Sequence, residues 1–355
     1  MNAQLTGFIG TDQWPVSTPE AQGVSASLLE AAFDAAGRMQ PFYSLLIARN
    51  GQLIGEQYYG RCSTQHAVNV HSVTKSVVSA LVGIAMHEGF IQSVEEPIWT
   101  WLPEYREVQD KSSRHALSLR NLLTMSAGLG WIENTGGLKR LYHSPDWARF
   151  ALTLPVISLP GQQFNYNTTL THLTSIILTR ASGMNTLALA ERSLFGPLGI
   201  PTPRWKTDPQ GVSIGGTDLY LTPRQMLTLG QLYLQHGRWG DQQLVPHEWV
   251  HDSTREQIAL NRPGFWNPAY TAYGYYWWLR QYKGYAAVVA SGYAGQHIII
   301  VPALNLVAVT TANADVPFTT VMKQVNLIES VVEEYVIPSL YEVTINGSAH
   351  NRVSK

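Results

Sequence analysis

The chain has 355 residues, of which 45% are hydrophobic and only 14% are charged, so it has enough apolar material for a sizeable buried core. Its formal net charge of −1, with no Lys/Arg cluster, argues against nucleic acid or an anionic membrane as a partner. No apolar run approaches the roughly 20 residues that span a bilayer, and the single cysteine excludes an internal disulfide.

The N-terminal part predicts a helix, a β-hairpin and a second helix. Residues 25–37 have the amphipathic spacing of a helix that ends at a glycine. Two strand-like runs, 43–48 and 53–59, flank an Asn-Gly dipeptide, which is typical of a tight hairpin turn. The helix that follows, from residue 72 onward, is apolar on nearly all sides and is therefore expected to be buried.

The middle of the chain is rich in Pro and Gly, and the strand patterns return only near its end. Helices are predicted at 120–125, 168–181, 187–195, 222–236 and 319–336, and strands at 273–279, 286–290, 297–301 and 306–311. The strands from both ends of the chain are expected to form one antiparallel sheet. We therefore predict a discontinuous α/β sheet domain, 1–87 and 266–355, and a mainly helical domain, 88–265.

One residue stands out in the apolar helix. Lys75 is the only formally charged residue between Arg61 and Glu88, and it follows Ser72 by one helical turn, so the two side chains can meet on one face. A serine hydroxyl needs a base before it becomes a good nucleophile. Burial and the positive end of the helix dipole both favour a neutral lysine, which can act as that base. The alternative from this motif alone is a lysine whose stem snorkels to water.

Several segments together resemble the serine β-lactamase and penicillin-binding-protein superfamily, most closely its class C-like and esterase-like branches. Besides Ser72-x-x-Lys75, the resemblance rests on LRNLLTMSAGLGW, PGQQFNYNTTLTHLTSIIL, GGTDLYLTPRQMLTLGQLYLQHGRWGDQQLVPHEWV and SGYAGQHIIIVPALNLVAVTT. These segments follow the family's order and cover about residues 20–335. The resemblance implies an α+β fold, in which helices flank an antiparallel sheet, and a serine hydrolase that works through an acyl-enzyme.

The resemblance also implies roles for three residues in two motifs. Ser72 matches the acylated serine, Lys75 its partner, and Tyr166 the tyrosine of the second motif, which helps to move protons to the leaving group. We expect Lys75 and Tyr166 to take the Ser72 proton together. The family's motif is Tyr-x-Asn, and its asparagine, two residues after the tyrosine, is replaced here by Thr168, which is expected to contact substrate with its shorter side chain.

The third motif departs further from the family. The family's Lys-Thr-Gly is replaced by Ala290-Ser291-Gly292, which leaves no obvious cation for the carboxylate of a β-lactam. The resemblance implies that the backbone N–H groups of Tyr293 and Ser72 form an oxyanion hole, with Ser291 and Gly292 contacting substrate.

Two aromatic residues near the second motif, Trp131 and Tyr142, are also expected to line the substrate cleft, as the family's loops there do. For each of them, packing in the core is the alternative interpretation.

Two other motifs suggest different chemistry. His247-Glu-x-x-His251 fits a zinc-binding pattern, although no clear third ligand follows it. Gly211-x-Ser213-x-Gly215 fits a nucleophile elbow, but it lacks the strand before it and the helix after it that such a turn needs.

The sequence therefore predicts a serine hydrolase for a carboxylic ester or small amide, with no metal or organic cofactor and a small molecule as its partner. The alternatives are a β-lactamase or D-alanyl peptidase, a zinc metallohydrolase using His247 and His251, and a non-catalytic binding protein. The first fourteen residues lack the pattern of a secretion signal, so we expect a cytoplasmic protein or an exported one without its leader. The oligomeric state stays open.

Overall fold

The computed structural model describes residues 13–39, 42–109, 117–133, 136–260 and 267–340. Within these ranges the α-helices are α1 (Ala26–Gly37), α2 (Val73–His87), α3 (Leu119–Leu123), α4 (Gly137–His143), α5 (Trp147–Leu152), α6 (Thr168–Ser182), α7 (Thr186–Ala190), α8 (Pro223–Leu234), α9 (His247–Ser253) and α10 (Phe318–Val331). The strands are β1 (Phe42–Arg49), β2 (Gln52–Tyr58), β3 (Val68–Asn69), β4 (Tyr220–Leu221), β5 (Arg238–Trp239), β6 (Gln242–Gln243), β7 (Ile258–Ala259), β8 (Ala272–Tyr273), β9 (Trp278–Tyr282), β10 (Tyr285–Gly292), β11 (Gln296–Val301) and β12 (Leu306–Ala312).

Eight of the strands form one antiparallel sheet in the order β2-β1-β12-β11-β10-β9-β8-β7. The predicted hairpin is present, because β1 and β2 pair around Asn50 and Gly51, both with positive φ (52° and 74°). Strand β1 also pairs with β12, so the two ends of the chain share the sheet. The predicted α+β fold with an antiparallel sheet is confirmed.

Helices cover both faces of this sheet. On one face, α8 lies so close to β12 that a Cβ at Gly230 would be 2.6 Å from the Val307 side chain. On the other face, Phe33 of α1 packs against Gly55 of β2. Gly55 and Ala308 of β12 both pair with Ile47 of β1, so they lie on the same face of the sheet. Because Val307 and Ala308 are successive in one strand, their side chains point to opposite faces.

Helix α2 is the buried helix that the sequence predicts. Residues 73–85 are all buried, and α2 packs against β10, α6 and α9. A Cβ at Gly83 would be only 2.3 Å from the Trp249 ring of α9, so this glycine allows the two helices to approach closely.

One predicted strand is wrong. Residues 273–279 form the end of β8, a turn and the start of β9, rather than one continuous strand. The Gly274 N–H donates to the Trp277 carbonyl at 2.8 Å, and Tyr276 has a φ of 64°. A run of buried aromatic residues carries the same pattern in a strand and in a packed turn, so the sequence did not reveal the reversal.

The helices predicted at 187–195 and 319–336 are present over these residues, but neither is α-helical throughout. In both cases a five-residue π-helical turn, Glu191–Phe195 or Val332–Val336, follows the α-helix, α7 or α10. The second helix then continues as α-helix over residues 337–340, beyond its predicted end. Helices α4 and α5 lie in a segment for which no helix was predicted, and the Asp146 side chain caps α5 by accepting from the Arg149 N–H.

The division into two domains stays a prediction. Strand β7, at residues 258–259, belongs to the edge of the large sheet, and the predicted boundary between residues 265 and 266 lies outside the described residues. None of the helices within the described ranges is long and apolar enough to cross a membrane.

Candidate active site

The first turn of α2 brings Ser72 and Lys75 together. Ser72 is the N-cap residue of α2, and the Lys75 amine lies one turn further along. Lys75 Nζ is 2.8 Å from Ser72 Oγ and donates to the Gly216 carbonyl oxygen at 2.7 Å. Its side chain is almost wholly buried, with 1% of the residue exposed. The amine is therefore held against the hydroxyl by a second, fixed contact.

The surroundings of Lys75 favour its neutral form. Burial lowers the pKa of Lys75 to about 8, and the charge of Glu133 opposes part of that shift. At pH 7, roughly a tenth of Lys75 is then neutral, against well under a thousandth for a solvated lysine. A neutral amine beside Ser72 Oγ has a lone pair that can accept the hydroxyl proton.

Tyr166 completes the group around Ser72. Its ring centroid is 5.1 Å from Lys75 Nζ, and Ser72 lies close enough to lower the pKa of the Tyr166 hydroxyl slightly. Burial, with a smaller contribution from Glu133, raises the pKa of Tyr166 well above its usual range. The ring is stacked on Trp278, with centroids 5.4 Å apart. The phenol is therefore a fixed, protonated group at neutral pH that can donate a hydrogen bond or relay a proton.

Thr168 and Trp131 both bind a carboxylate that the sequence analysis missed. The Thr168 hydroxyl donates to Glu133 Oε1 at 2.6 Å, and its backbone N–H donates to Oε2 at 3.3 Å. The Trp131 indole N–H donates to the same carboxylate. Glu133 lies two residues after the family-like segment that ends at Trp131, and it is the only acidic residue between Asp110 and Asp146. This isolated charge is the feature of the sequence that could have marked it as a site residue.

One predicted role needs correction. Trp131 does not line the cavity at the nucleophile: it is 6% exposed and packs against Gly137 and Phe150. Trp131 packs behind the cavity wall and holds Glu133, which is part of that wall, through its indole N–H. Packing of this kind is the more common use of an aromatic ring in a loop.

The third-motif residues reach the same place from the sheet. Ser291 and Gly292 end β10, and both line the cavity, as does Tyr293. A Cβ at Gly292 would lie 2.4 Å from the Val70 carbonyl oxygen, so only glycine allows β10 to approach the start of α2 this closely. This approach places Tyr293 and Ser72 on one cavity wall.

The cavity at the head of α2 has a volume of about 320 Å³. Among the predicted residues, its walls include Ser72, Tyr142, Tyr166, Thr168, Ser291, Gly292 and Tyr293. No Lys or Arg is present among the described residues that line it. The anchoring cation that a β-lactam carboxylate would need is thus missing from this lining.

Tyr142 lies at the mouth of the cavity, where it binds a second carboxylate. Its hydroxyl donates to Asp218 Oδ2 at 2.6 Å, and burial together with this bond raises the pKa of Tyr142 well above its usual range. Asp218 also pairs with Lys206, whose Nζ is 2.9 Å from Oδ1. Tyr142 is therefore a wall residue whose hydroxyl is already engaged.

His71 precedes the nucleophile in a left-handed conformation, with a φ of 47°. Its ring lies against the ring of Tyr293, with centroids 5.5 Å apart, and burial lowers the pKa of His71 to about 4. The imidazole is consequently neutral at physiological pH, and it packs the two sides of the cavity wall together.

The zinc-like motif lies away from this cavity. His247 and His251 are on the seven-residue helix α9, neither lines the cavity, and the His251 side chain is 67% exposed. The His247 ring lies against that of His236, with centroids 5.0 Å apart. Within the described ranges, no group of three or more His, Cys, Asp or Glu residues could hold a metal ion.

Ser213 is a buried structural serine. Its hydroxyl donates to Asn185 Oδ1 at 2.6 Å and accepts from the Leu187 N–H at 3.3 Å, at the start of α7. With 0% of the residue exposed, it has no access for a substrate. The surrounding glycines serve a close approach, since a Cβ at Gly215 would be 2.1 Å from the Thr171 carbonyl oxygen.

Known proteins resemble this chain in sequence and in fold. An uncharacterized protein from Alkalihalophilus pseudofirmus is 24% identical over 76% of this chain and 83% of its own length. Esterase EstB from Burkholderia gladioli is 24% identical over 49% of this chain and about half of its own length. A proposed 6-aminohexanoate-dimer hydrolase from Bacillus anthracis has the same fold: the TM-score is 0.73 at 18% identity, over 95% of this chain and 90% of that chain.

The family model for beta-lactamase matches residues 31–331, which is most of the chain and includes all the residues placed around the cavity. The chain therefore belongs to the beta-lactamase family and is a serine hydrolase.

Proposed function

We propose that this hydrolase cleaves carboxylic esters or small amides through an acyl-enzyme on Ser72. The observation that carries the proposal is the buried Lys75 amine, 2.8 Å from Ser72 Oγ and with its pKa lowered to about 8. A lysine in that state can take the serine proton near neutral pH, as a general base must.

The reaction has two halves that use the same groups. Neutral Lys75 takes the Ser72 proton while Oγ bonds to the carbonyl carbon, and the backbone N–H groups of Ser72 and Tyr293 stabilise the oxyanion. Tyr166 relays the proton to the leaving alcohol or amine as its bond to the carbonyl carbon breaks. Water then attacks the acyl carbon and gives a proton to Lys75. The bond between the acyl carbon and Ser72 Oγ breaks, Oγ takes that proton back from Lys75, and the carboxylic acid leaves.

Esters and simple amides are favoured over β-lactams because of the third motif. The family's motif lysine is replaced by Ala290, and the described cavity lining contains neither Lys nor Arg. The similarity to an esterase and to a proposed amide hydrolase supports the same substrate classes. A β-lactamase or D-alanyl peptidase on this scaffold is the less favoured alternative.

The test is hydrolysis of p-nitrophenyl acetate by the wild type and by Ser72→Ala, each with and without a chelator. Ser213→Ala is the matched control, because it removes a buried serine that does not touch the cavity. We expect the wild type and Ser213→Ala to be active and Ser72→Ala to be inactive. Full activity of Ser72→Ala would refute the proposal, and activity that the chelator abolishes would restore the zinc alternative.

A further inference from the structure

The charges in the cavity wall are not balanced. Of the described residues that line it, two are acidic, Glu133 and Asp218, and none is Lys or Arg. Asp218 has its own cation, since Lys206 Nζ is 2.9 Å from its carboxylate. Glu133 forms no salt bridge with any of the described residues: its hydrogen bonds come from the neutral donors of Thr168 and Trp131. One of the two cavity carboxylates therefore has no salt bridge among the described residues, although its charge acts on Lys75.

Glu133 is also held in place. Three donors converge on it, namely the hydroxyl and the backbone N–H of Thr168 and the indole N–H of Trp131. An ionised carboxylate can accept about four hydrogen bonds, so at least one acceptor position remains for a group in the cavity. A charged donor in the cavity would form a stronger hydrogen bond with this carboxylate than a neutral donor does. The fixed geometry suits a positively charged donor.

We propose that Glu133 forms a subsite for a protonated amine, so that the preferred substrates are esters or amides that carry an ammonium group. This inference rests on the proposed function, because it names the substrate class of the same cavity. Thr168 and Trp131 are positioning residues that act through Glu133. The replacement of the motif asparagine by Thr168 then has a purpose: its hydroxyl orients a carboxylate.

Glu133 also affects the pKa of Lys75, the proposed base. The negative charge of Glu133 opposes the neutral form of Lys75. An ammonium group bound at Glu133 offsets that charge and thereby favours the form of Lys75 that accepts the Ser72 proton. We therefore expect a cationic substrate to have a higher kcat and a lower KM than its neutral isostere.

The experiment compares binding of n-hexylammonium and n-hexanol by ligand-detected NMR titration at pH 7, which needs no turnover. The two probes share their apolar chain and differ in charge. The proteins are the wild type, Ser72→Ala, Glu133→Gln, Thr168→Val and, as the matched control, Asp218→Asn. Asp218→Asn removes the other cavity carboxylate, which already has Lys206 as a partner.

We expect the wild type to bind n-hexylammonium about tenfold more tightly than n-hexanol, which corresponds to about 1.4 kcal/mol. Ser72→Ala and Asp218→Asn should keep this preference, Thr168→Val should weaken it, and Glu133→Gln should lose it. Equal affinities in the wild type, or a preference that survives in folded Glu133→Gln, would overturn the inference. Loss of the preference in Asp218→Asn alone would do the same, because the subsite would then be Asp218.

A kinetic comparison separates this inference from the proposed function. p-Nitrophenyl esters of ω-ammonium acids of increasing chain length are each compared with the isostere in which a methyl replaces the ammonium. Supporting results are a higher kcat and a lower KM for some cationic members with the wild type, and loss of both differences in Glu133→Gln. Hydrolysis of both series without preference would overturn the subsite and leave the serine hydrolase intact. Undiminished hydrolysis by Ser72→Ala would overturn the proposed function, whatever the NMR titration shows.

Discussion

The buried amine of Lys75 is predicted to make the stability of the protein depend on pH. Burial lowers the pKa of Lys75 from its ordinary value of 10.5 to about 8. The difference between these values corresponds to about 3 kcal/mol against the charged amine in the folded state. Between pH 8 and 10.5 the unfolded chain binds more protons at this residue than the folded one, so the free energy of unfolding rises with pH. From pH 7 to pH 9, the contribution of Lys75 rises by about 1 kcal/mol.

The perturbation that isolates this contribution is Lys75→Met, which keeps an unbranched side chain and removes the titrating amine. Urea denaturation at pH 7 and pH 9 measures the free energy of unfolding of both proteins. At pH 7 we expect Lys75→Met to have the higher free energy of unfolding. From pH 7 to pH 9, its advantage over the wild type should shrink by about 1 kcal/mol. The difference in the free energy of unfolding between the two proteins is smaller than the cost of the charged amine in the folded wild type. The reason is that Lys75→Met also leaves the Gly216 carbonyl oxygen without its donor.

Neighbouring groups do not produce this signal. Burial lowers the pKa of His71 to about 4 and raises that of Tyr166 well above its usual range, so both keep their protonation between pH 7 and 9. Ser72→Ala is the control, since it is expected to be inactive but retains Lys75 and its pH dependence. A difference between the wild type and Lys75→Met that stays constant from pH 7 to pH 9 would refute the lowered pKa, and with it the role of Lys75 as base.

Three further predictions concern the cavity and its alternatives. The kcat/KM for a neutral ester should rise with pH through about 8, because Lys75 must lose its proton to act. In Glu133→Gln this rise should move to lower pH, because the charge that favours protonated Lys75 is gone. The rate at pH 7 should increase by at most about tenfold, since Lys75 cannot become more than wholly neutral. A pH profile identical to that of the wild type would contradict the effect of Glu133 on Lys75. Tyr166→Phe should lower kcat by roughly 10²-fold or more with the ring packing on Trp278 retained, as the loss of a proton relay does, and an unchanged kcat would remove Tyr166 from the mechanism. Ser213→Ala should keep its activity but unfold at about 1–3 kcal/mol lower stability, because the Leu187 N–H and Asn185 lose a buried partner; thermal and urea denaturation measure the loss.

The parts of the fold that the sequence predicts well have local signals. The hairpin depends on an Asn-Gly turn between two apolar runs, and both turn residues adopt the positive φ that this dipeptide favours. Helix α2 is recognisable as buried because almost every residue in it is apolar. The approach of Ser72 and Lys75 follows from the helical period alone, so the structure brings them together as the spacing requires.

The parts that the sequence does not predict depend on contacts between distant residues. Glu133 lies 35 residues from Thr168, and no periodic pattern connects them. Trp131 and Tyr142 look alike as aromatic loop residues, but one is packed behind the wall and the other lies at the mouth of the cavity. The turn at Gly274 also cannot be predicted from the neighbouring residues, because it depends on the close approach of the Ser253 carbonyl oxygen from another part of the chain.

The sequence by itself determines the family, the sheet-forming ends of the chain and the serine–lysine pair, because these follow from motif order and from the periods of strands and helices. Only the tertiary structure decides the chemical state of that pair and the charge of the cavity around it. Burial by residues far apart in the chain lowers the pKa of Lys75, and Thr168 and Trp131 together fix the Glu133 carboxylate in the wall. Both effects depend on distance and on exclusion of water, which arise only when the chain has folded.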